Sequence, residues 1–413
     1  MRIQQLLAAT AFGCAAFAPA AGQGLDLTVN NAGIAIGNKP RVTGLRFNYR
    51  DRGLDKVVGL NVTLWTPYDA SSGPVNRDNP FGSGTVEGIA LGLPLTGAAN
   101  IRGIGAGLFG FGVGESITGI GIAPLGFGAG NSASGLMLAG AGFGVGNSFT
   151  GLGVAGLGAG IGTSMHGILI AGLGAGVGAE ATGIIVGGLG AGVGSEFHGI
   201  GVGGMGFGIG NGMRGAAVGG LGIGVGSDMH GIAIGGVGVG VGKSGRGLAL
   251  GGIGVGVGND FRGIGFGGVG LGAGGDVTGI VIGGVGVGIG HDLRGLAIGG
   301  AGVGAGGTIH GIALAIGGVG AQRIEGFTAS LGAGARTAHA IVIAPIYFKI
   351  EGTDGEFRGA SLSAWNRNQG TQRGLTIGLL NTARELHGVQ IGLINISENG
   401  GRKLVLPLIA ARH

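Results

Sequence analysis

Residues 229–244 read MHGIAIGGVGVGVGKS, and this sixteen-residue unit is the pattern that decides the fold. Glycine recurs at the third position of every copy from Gly103 to Gly311, which makes fourteen copies. We number the positions of the unit 1 to 16, from Met229 to Ser244. Such a repeat has to be identified first, because overlooking it gives the wrong fold.

Within the unit, large apolar residues alternate with small ones. Ile232 and Ile234 occupy positions 4 and 6, and valine occupies positions 9, 11 and 13, with glycine between the valines. Alternation is typical of β-strands because successive side chains point to opposite faces, whereas so many glycines would destabilise a helix. The unit therefore predicts two short strands, joined by a turn at Gly235-Gly236 and a polar corner at Lys243-Ser244. We expect positions 4, 6, 9, 11 and 13 to point inward and the glycines outward.

Repeated two-strand units can be arranged in two ways. In a β-solenoid each unit is one coil that pairs with the coils before and after it. In a barrel each unit is a hairpin, but a membrane-spanning strand needs about 9–11 residues and the predicted strands are shorter. We predict an all-β fold, an elongated β-solenoid of about fourteen 16-residue two-strand coils with β caps. The alternative is a large antiparallel β-barrel.

The composition indicates an ordered chain rather than a disordered one. Glycine makes up 112 of the 413 residues, yet 44% of all residues are hydrophobic and only 10% are charged. Disordered chains are poor in apolar residues and rich in charge. The net charge of +5 is dispersed and only 5% of residues are aromatic, which argues against nucleic-acid binding.

The chain divides into four predicted segments. Residues 1–20 have a basic start, an apolar run and an Ala-Pro-Ala end, which is typical of a signal peptide. Cys14, the single cysteine, lies inside it and is either removed with the signal or lipidated. Residues 21–85 form an N-terminal β cap with a loop, residues 86–323 form the array, and residues 324–413 form a C-terminal β cap with two 14-residue repeats.

Motifs near the two ends resemble a known family. GLTIGLLN begins at Gly374, GVQIGLIN begins at Gly388, and GLNVTLW covers residues 59–65. These motifs resemble the bacterial glycine-rich surface-repeat family of exported proteins, with its GxQIGLxN-type repeats. The resemblance implies a surface location and no assigned catalytic activity. In the central array we interpret the asparagine of this motif as replaced by glycine.

Position 2 of the unit is polar in all fourteen copies, so a solenoid would stack these side chains into a ladder. Acids stand two residues earlier in several copies, as in Asp228 before His230. One interpretation is an anion- or glycan-binding edge, and the other is a solvated corner whose opposite charges nearly cancel. The basic members of this candidate interaction ladder are Arg102, His166, His198, Arg214, His230, Arg246, Arg262, Arg294 and His310.

No catalytic, cofactor or metal motif is evident in the sequence. His166, His198 and His230 would stand about 10 Å apart, too far to share a zinc ion whose ligands lie about 2 Å away. We therefore predict a protein that is not an enzyme and that holds no cofactor or metal. An enzymatic site, if there were one, would have to use acids of the caps, namely Asp51, Asp55, Asp69, Asp78, Glu351 and Asp354.

These features predict an exported, non-enzymatic repeat protein with a structural or interaction role. Its expected place is the outer membrane, the cell surface or the periplasm of a Gram-negative-type bacterium. Its expected partners are envelope components or further copies of itself. The alternative is an outer-membrane β-barrel or pore, which would depend on a membrane.

Overall fold

The computed structural model describes residues 24–67 and 84–412. Within these ranges all regular secondary structure is β-strand. The described residues contain no helix that could cross a membrane. The predicted signal peptide with Cys14 lies outside the described residues. The chain separates into two compact units, residues 1–163 (unit 1) and residues 164–413 (unit 2).

Unit 1 contains twelve strands over the residues that the structure describes. They are β1 (Asp26–Val29), β2 (Ala32–Ile36), β3 (Arg41–Arg50), β4 (Lys56–Trp65), β5 (Thr85–Gly92), β6 (Leu95–Gly107), β7 (Gly110–Ala123), β8 (Gly126–Ala129), β9 (Ser132–Ala139), β10 (Gly142–Val145), β11 (Ser148–Ala155) and β12 (Gly158–Ile161).

Unit 2 alternates longer strands with strands of three or four residues. Its strands are β13 (Ser164–Ala171), β14 (Gly174–Val177), β15 (Glu180–Gly187), β16 (Gly190–Val193), β17 (Phe197–Gly203), β18 (Gly206–Ile209), β19 (Met213–Gly219), β20 (Gly222–Val225), β21 (Met229–Gly235), β22 (Gly238–Val241), β23 (Gly245–Gly251), β24 (Gly254–Val257), β25 (Phe261–Gly267), β26 (Gly270–Ala273), β27 (Val277–Gly283), β28 (Gly286–Ile289), β29 (Leu293–Gly299), β30 (Gly302–Ala305), β31 (Thr308–Ala315), β32 (Gly318–Gly320), β33 (Arg323–Ala329), β34 (Gly332–Ala335), β35 (Thr337–Ile343), β36 (Tyr347–Ile350), β37 (Glu356–Leu362), β38 (Trp365–Asn368), β39 (Thr371–Ile377), β40 (Leu380–Ala383), β41 (Glu385–Leu386), β42 (Gly388–Asn399) and β43 (Arg402–Arg412).

Successive coils pair in parallel, which distinguishes a solenoid from a stack of hairpins. In unit 2, β21 pairs with β23 so that Gly231 lies opposite Gly247, and β22 pairs with β24 so that Gly238 lies opposite Gly254. In unit 1, β9 and β11 pair in the same way. The predicted all-β solenoid is therefore confirmed.

The two units together count about 21 turns, so the predicted number of about fourteen was too low. Segments that lack the regular glycine spacing also form coils. Gly44 lies opposite Gly59 in unit 1, and Gly359 lies opposite Gly374 in unit 2. Antiparallel pairs occur only at the described ends, where β1 pairs with β2 and β43 pairs with β42.

The interior of each coil is lined by positions 1, 5, 7, 11 and 13. In the example unit, Met229 and Ala233 are fully buried, and Val239 and Val241 are nearly so. The prediction that positions 11 and 13 point inward is confirmed. For positions 4, 6 and 9 it was wrong, because Ile232 at position 4 remains 41% exposed, Phe266 at position 6 remains 43% exposed and Val237 at position 9 remains 44% exposed.

The narrow interior limits the combined size of the side chains at positions 5 and 11 of a coil. A side chain at position 5 faces position 11 of the short strand in the same coil. A Cβ added at Gly201 would overlap the ring of Phe207, and one added at Gly265 would overlap Leu271. In these two coils the large residue at position 11 therefore requires glycine at position 5.

The position-3 glycines are required by the backbone. Gly263 has a φ of +140°, a region that side-chain-bearing residues rarely adopt. An added Cβ there would also overlap the carbonyl oxygen of Gly247 in the preceding coil. Position 12 differs, since the Cβ of an alanine in place of Gly256 would meet no atom within 4 Å.

Candidate functional site

The position-2 side chains of unit 2 form one column on the outer face of the longer strands. His198 lies opposite Arg214, and Arg214 lies opposite His230, at the strand spacing of about 4.8 Å. Arg102 lies apart from them in unit 1, opposite Thr118. Unit 2 thus brings together eight of the nine predicted residues, here called the cationic column: His166, His198, Arg214, His230, Arg246, Arg262, Arg294 and His310.

The same column continues past the regular array, into coils that the spacing of sixteen does not predict. Strand pairing places Glu325 opposite His310, followed by His339, Arg358 and Arg373. The coils change length here, so a fixed spacing of sixteen no longer finds the position. The useful signal is the residue that precedes the repeat glycine, as in the Arg-Gly pairs that begin at Arg358 and Arg373.

The acids at position 16 bind the backbone at the corner. Asp260 accepts a hydrogen bond from the amide of Asp276 at 2.9 Å, and Asp276 accepts one from the amide of Asp292 at 3.1 Å. Asp292 in turn accepts one from the amide of Thr308 at 2.6 Å. These carboxylates serve as caps for the next coil.

The arginines of the cationic column and of its continuation to Arg373 fall into two groups, those with a carboxylate partner and those without. Glu356 pairs with Arg358 at 2.7 Å and with Arg373 at 3.4 Å. The hydrogen bond from Arg358 holds the pKa of Glu356 below its ordinary value, against the opposing effect of desolvation. Within residues 24–67 and 84–412, no carboxylate lies within 4.0 Å of the remaining four guanidinium groups, those of Arg214, Arg246, Arg262 and Arg294.

A shallow depression lies between the cationic column and the acidic corner. Its volume is about 210 Å³, and its lining includes Asp228, His230, Arg246, Asp260 and Arg262. The basic side chains of the column recur at one or two strand spacings, because Thr182 and Thr278 interrupt it, and such a row matches a polymer that carries repeated anionic groups better than a single small anion. The neighbouring acids reduce this attraction, so the net electrostatic effect at the edge is modest.

Beside the cationic column, unit 2 exposes three columns of apolar side chains. Those of the corner, at position 9, are between 44% and 56% exposed in the eight coils from Leu173 to Val285. Positions 4 and 6 stack over fifteen coils and contain no polar residue in the coils of the regular array. We call these three columns the apolar face; its position-4 members are Ile168, Ile184, Ile200, Ala216, Ile232, Leu248, Ile264, Ile280, Leu296, Ile312, Phe327, Ile341, Ala360, Leu375 and Val389.

The apolar face ends in a groove near the C-terminus of unit 2. The groove has a volume of about 780 Å³, and Ile377, Leu379, Ile391 and Leu393 contribute to its wall. Leu408 of β43 completes it and has a φ of +66°, an unusual conformation for a leucine. The groove is a continuation of the apolar face and not a separate polar site.

The motif asparagines of the C-terminal repeats lie inside the coil. Asn366 donates a hydrogen bond to Asn381 at 2.7 Å, and Asn381 donates one to Asn395 at 2.8 Å. Strand pairing aligns Asn366 with the buried Phe348, in the column that holds Val319 upstream. The array therefore replaces this asparagine by an inward apolar residue, and the interpretation that glycine replaces it was wrong.

The acids considered for an enzymatic site are engaged in ion pairs where the structure describes them. Asp51 is buried in unit 1 against the equally buried Arg46, and Asp55 pairs with Arg41. In unit 2 Asp354 pairs with Arg336.

The remaining candidate acids add no shared site. Glu351 pairs with Lys349 at 2.6 Å in unit 2, whereas Asp69 and Asp78 lie outside the described residues. Among residues 24–67 and 84–412, no three His, Cys, Asp or Glu side chains are grouped so as to hold a metal ion.

Comparison with protein-family models, with curated proteins and with solved structures finds no match to this chain.

Proposed function

We propose that this chain is an exported, non-enzymatic protein of the bacterial cell envelope or surface, with a structural or interaction role. The observation that supports this proposal best is the apolar face of unit 2. The apolar side chains of this face are contiguous over many coils, unlike single leucines scattered over a surface. A contiguous exposed apolar patch usually marks an interaction site. A catalytic protein would instead concentrate perturbed acids and bases in a cleft.

The proposal of export is supported by the sequence of residues 1–20 and by the resemblance of the terminal repeats to exported surface proteins. The tandem coils support a structural role, since repeat arrays create long continuous surfaces. Fractionation of a Gram-negative host that expresses the full chain tests this directly. We expect the protein in the envelope fraction and digestion by a protease added to intact cells.

A chain that lacks residues 1–20 is the matched control, and it should stay in the cytoplasm. Recovery of the full chain in the cytoplasm, with its N-terminus intact, would contradict the proposed location. An envelope protein that resists protease in intact cells, and is digested only after the outer membrane is opened, would place it in the periplasm.

The unpaired arginines favour a second role, the binding of an anionic glycan along the cationic column. Arg214, Arg246, Arg262 and Arg294 are exposed and have no carboxylate within ion-pair distance in the described part of the chain. Replacement of these four by glutamine should weaken binding to a polyuronate, most strongly at low salt.

The control for this experiment replaces Arg358 and Arg373, which already pair with Glu356. We expect a much smaller effect per arginine in that variant. An equal loss of affinity per arginine in the two variants would exclude a specific role for the four unpaired arginines. Binding that does not respond to salt would exclude it as well.

A further inference from the structure

The size of the apolar face points to a partner of substantial area. Fifteen coils at about 4.8 Å span about 67 Å, and four residues of strand between position 4 and the corner span about 13 Å. The resulting area is about 900 Å², above the roughly 300–600 Å² of the largest patch on a typical monomer. It also reaches the roughly 800 Å² that each partner buries in a stable interface.

The chemistry of the face restricts what can cover it. In the regular array of unit 2, positions 4 and 6 carry only Ile, Leu, Val, Phe and Ala. The side chains repeat at the strand spacing, so a partner with the same repeat can place its own rows between them along the whole length. Another copy of this chain has that repeat by construction.

The border of the face distinguishes a second copy from an anionic lipid surface. Cations of position 2 stand next to the face, and the acids of position 16 stand just beyond them, as with Arg262 and Asp260. A layer of anionic headgroups would be attracted by one column and repelled by the next. A second copy carries both signs and can pair acid with base across the rim of the interface.

We propose that the apolar face of unit 2 is buried against the same face of a second copy of this chain. This inference rests on the proposed structural role and names its first partner. Side chains at positions 4 and 6 of one copy lie between those of the other, in a two-fold arrangement that repeats every contact. The polar columns remain at the rim, in contact with water.

Sedimentation velocity of the full chain over a range of concentrations tests the pairing. The decisive variant replaces Ile232, Ile264 and Ile280 by threonine, which keeps β-branching and strand propensity while removing apolar surface. These side chains are 41%, 49% and 39% exposed, so their removal leaves the interior of the coil unchanged. We expect a dimer for the wild type and dimerisation weakened at least about 100-fold in the variant.

The matched control places the same three threonines on the outer side of the short strands, at Gly240, Gly256 and Gly272. A Cβ at Gly256 or Gly272 would meet no atom within 4 Å, and at Gly240 the nearest atom is 4.0 Å away. This control should dimerise like the wild type. A monomeric wild type, or a threonine variant of the apolar face that dimerises as well as the control, would overturn the proposal.

Cross-linking covers the case in which the triple variant fails to fold. In a Cys14→Ser background, Ile264→Cys should be joined between copies by a flexible bis-maleimide, whereas Gly256→Cys should not. Equal cross-linking at the two sites would overturn the proposal. So would a monomeric chain that floats with vesicles of phosphatidylethanolamine and phosphatidylglycerol, since the face would then bind lipid.

The outcomes separate this inference from the proposed function. A monomer found at the cell surface would remove the pairing and leave the proposed location intact. A dimer that remains in the cytoplasm would do the reverse.

Discussion

Glycine to alanine substitutions at two nearby positions should change stability in opposite directions. Gly256, at position 12, has open space where a Cβ would lie and no positive φ. Gly263, at position 3 of the next coil, has a φ of +140° and a neighbouring carbonyl oxygen in the space that a Cβ would fill. The chemical change is the same at both positions, so the difference in stability between the two variants reports the backbone conformation and the space at each glycine.

The magnitudes follow from these two environments. Gly256→Ala should stabilise its coil by about 0.5–1 kcal/mol, because alanine loses less conformational entropy on folding. Gly263→Ala should destabilise by about 1–3 kcal/mol for the strained backbone, with about 1 kcal/mol more for the displaced hydrogen bond of the ladder. The two variants should therefore differ by roughly 2.5–5 kcal/mol.

Hydrogen exchange measured by mass spectrometry is the appropriate assay, because tandem repeats open locally and a single unfolding transition is not guaranteed. Peptides that span the two coils should exchange more slowly in Gly256→Ala and much faster in Gly263→Ala. Changes of the same sign and similar size at both sites would refute the assignment of distinct roles to positions 3 and 12.

Three further predictions concern buried and paired polar groups. Asp51→Ala leaves the buried guanidinium of Arg46 without its carboxylate partner, with only neutral acceptors such as Asn61, and should lower the opening free energy of its coil, measured by hydrogen exchange, by about 3–5 kcal/mol. Asn381→Ala interrupts the asparagine ladder and should cost about 2–4 kcal/mol in unit 2, since Asn366 loses one of its acceptors and the side-chain oxygen of Asn395 loses its donor. Arg358→Ala should raise the pKa of Glu356, measured by NMR titration, because the hydrogen bond that lowers it is removed.

Each of these predictions has a result that would contradict it. Unchanged hydrogen-exchange rates in the first two variants would mean that the polar groups find water instead of remaining buried. The lowered pKa of Glu356 implies stability that is present above its unfolded pKa and lost as the pH falls through the folded pKa. Arg358→Ala should reduce that loss of stability. If stability falls with decreasing pH in the variant as it does in the wild type, the ion pair is contradicted.

The fold could be predicted from the sequence because the sixteen-residue period and the alternation within it leave few alternatives. The orientation of the longer strand could not be predicted, because both its odd-numbered and its even-numbered positions carry apolar residues, and either set could face the interior. Large residues at positions 4 and 6 favoured the wrong choice. The compensation between Gly201 and Phe207, or between Leu169 and its opposite Ala175, is the signal that identifies positions 5 and 11 as the interior.

The candidate site was predictable in part for a related physical reason. Strand pairing in register makes any fixed position of the repeat a column, so the position-2 ladder of unit 2 follows from the period alone. Its continuation to Arg373 is not found by a fixed spacing of sixteen, because the coils change length there; the residue before each repeat glycine is the signal that follows it. The hydrogen bond from the backbone to Asp260 was also outside the reach of the sequence, because it depends on the geometry of the corner.

Thiol accessibility at two adjacent residues tests the central claim, the outward direction of the apolar columns. In a Cys14→Ser background, Ile232→Cys and Ala233→Cys place a thiol on opposite faces of the same strand. Ile232 is 41% exposed and Ala233 is fully buried. In dilute native protein, where copies are separated, a maleimide should label the Ile232→Cys variant quickly and the Ala233→Cys variant only after denaturation. Rapid labelling at Ala233→Cys with protection at Ile232→Cys would contradict the account.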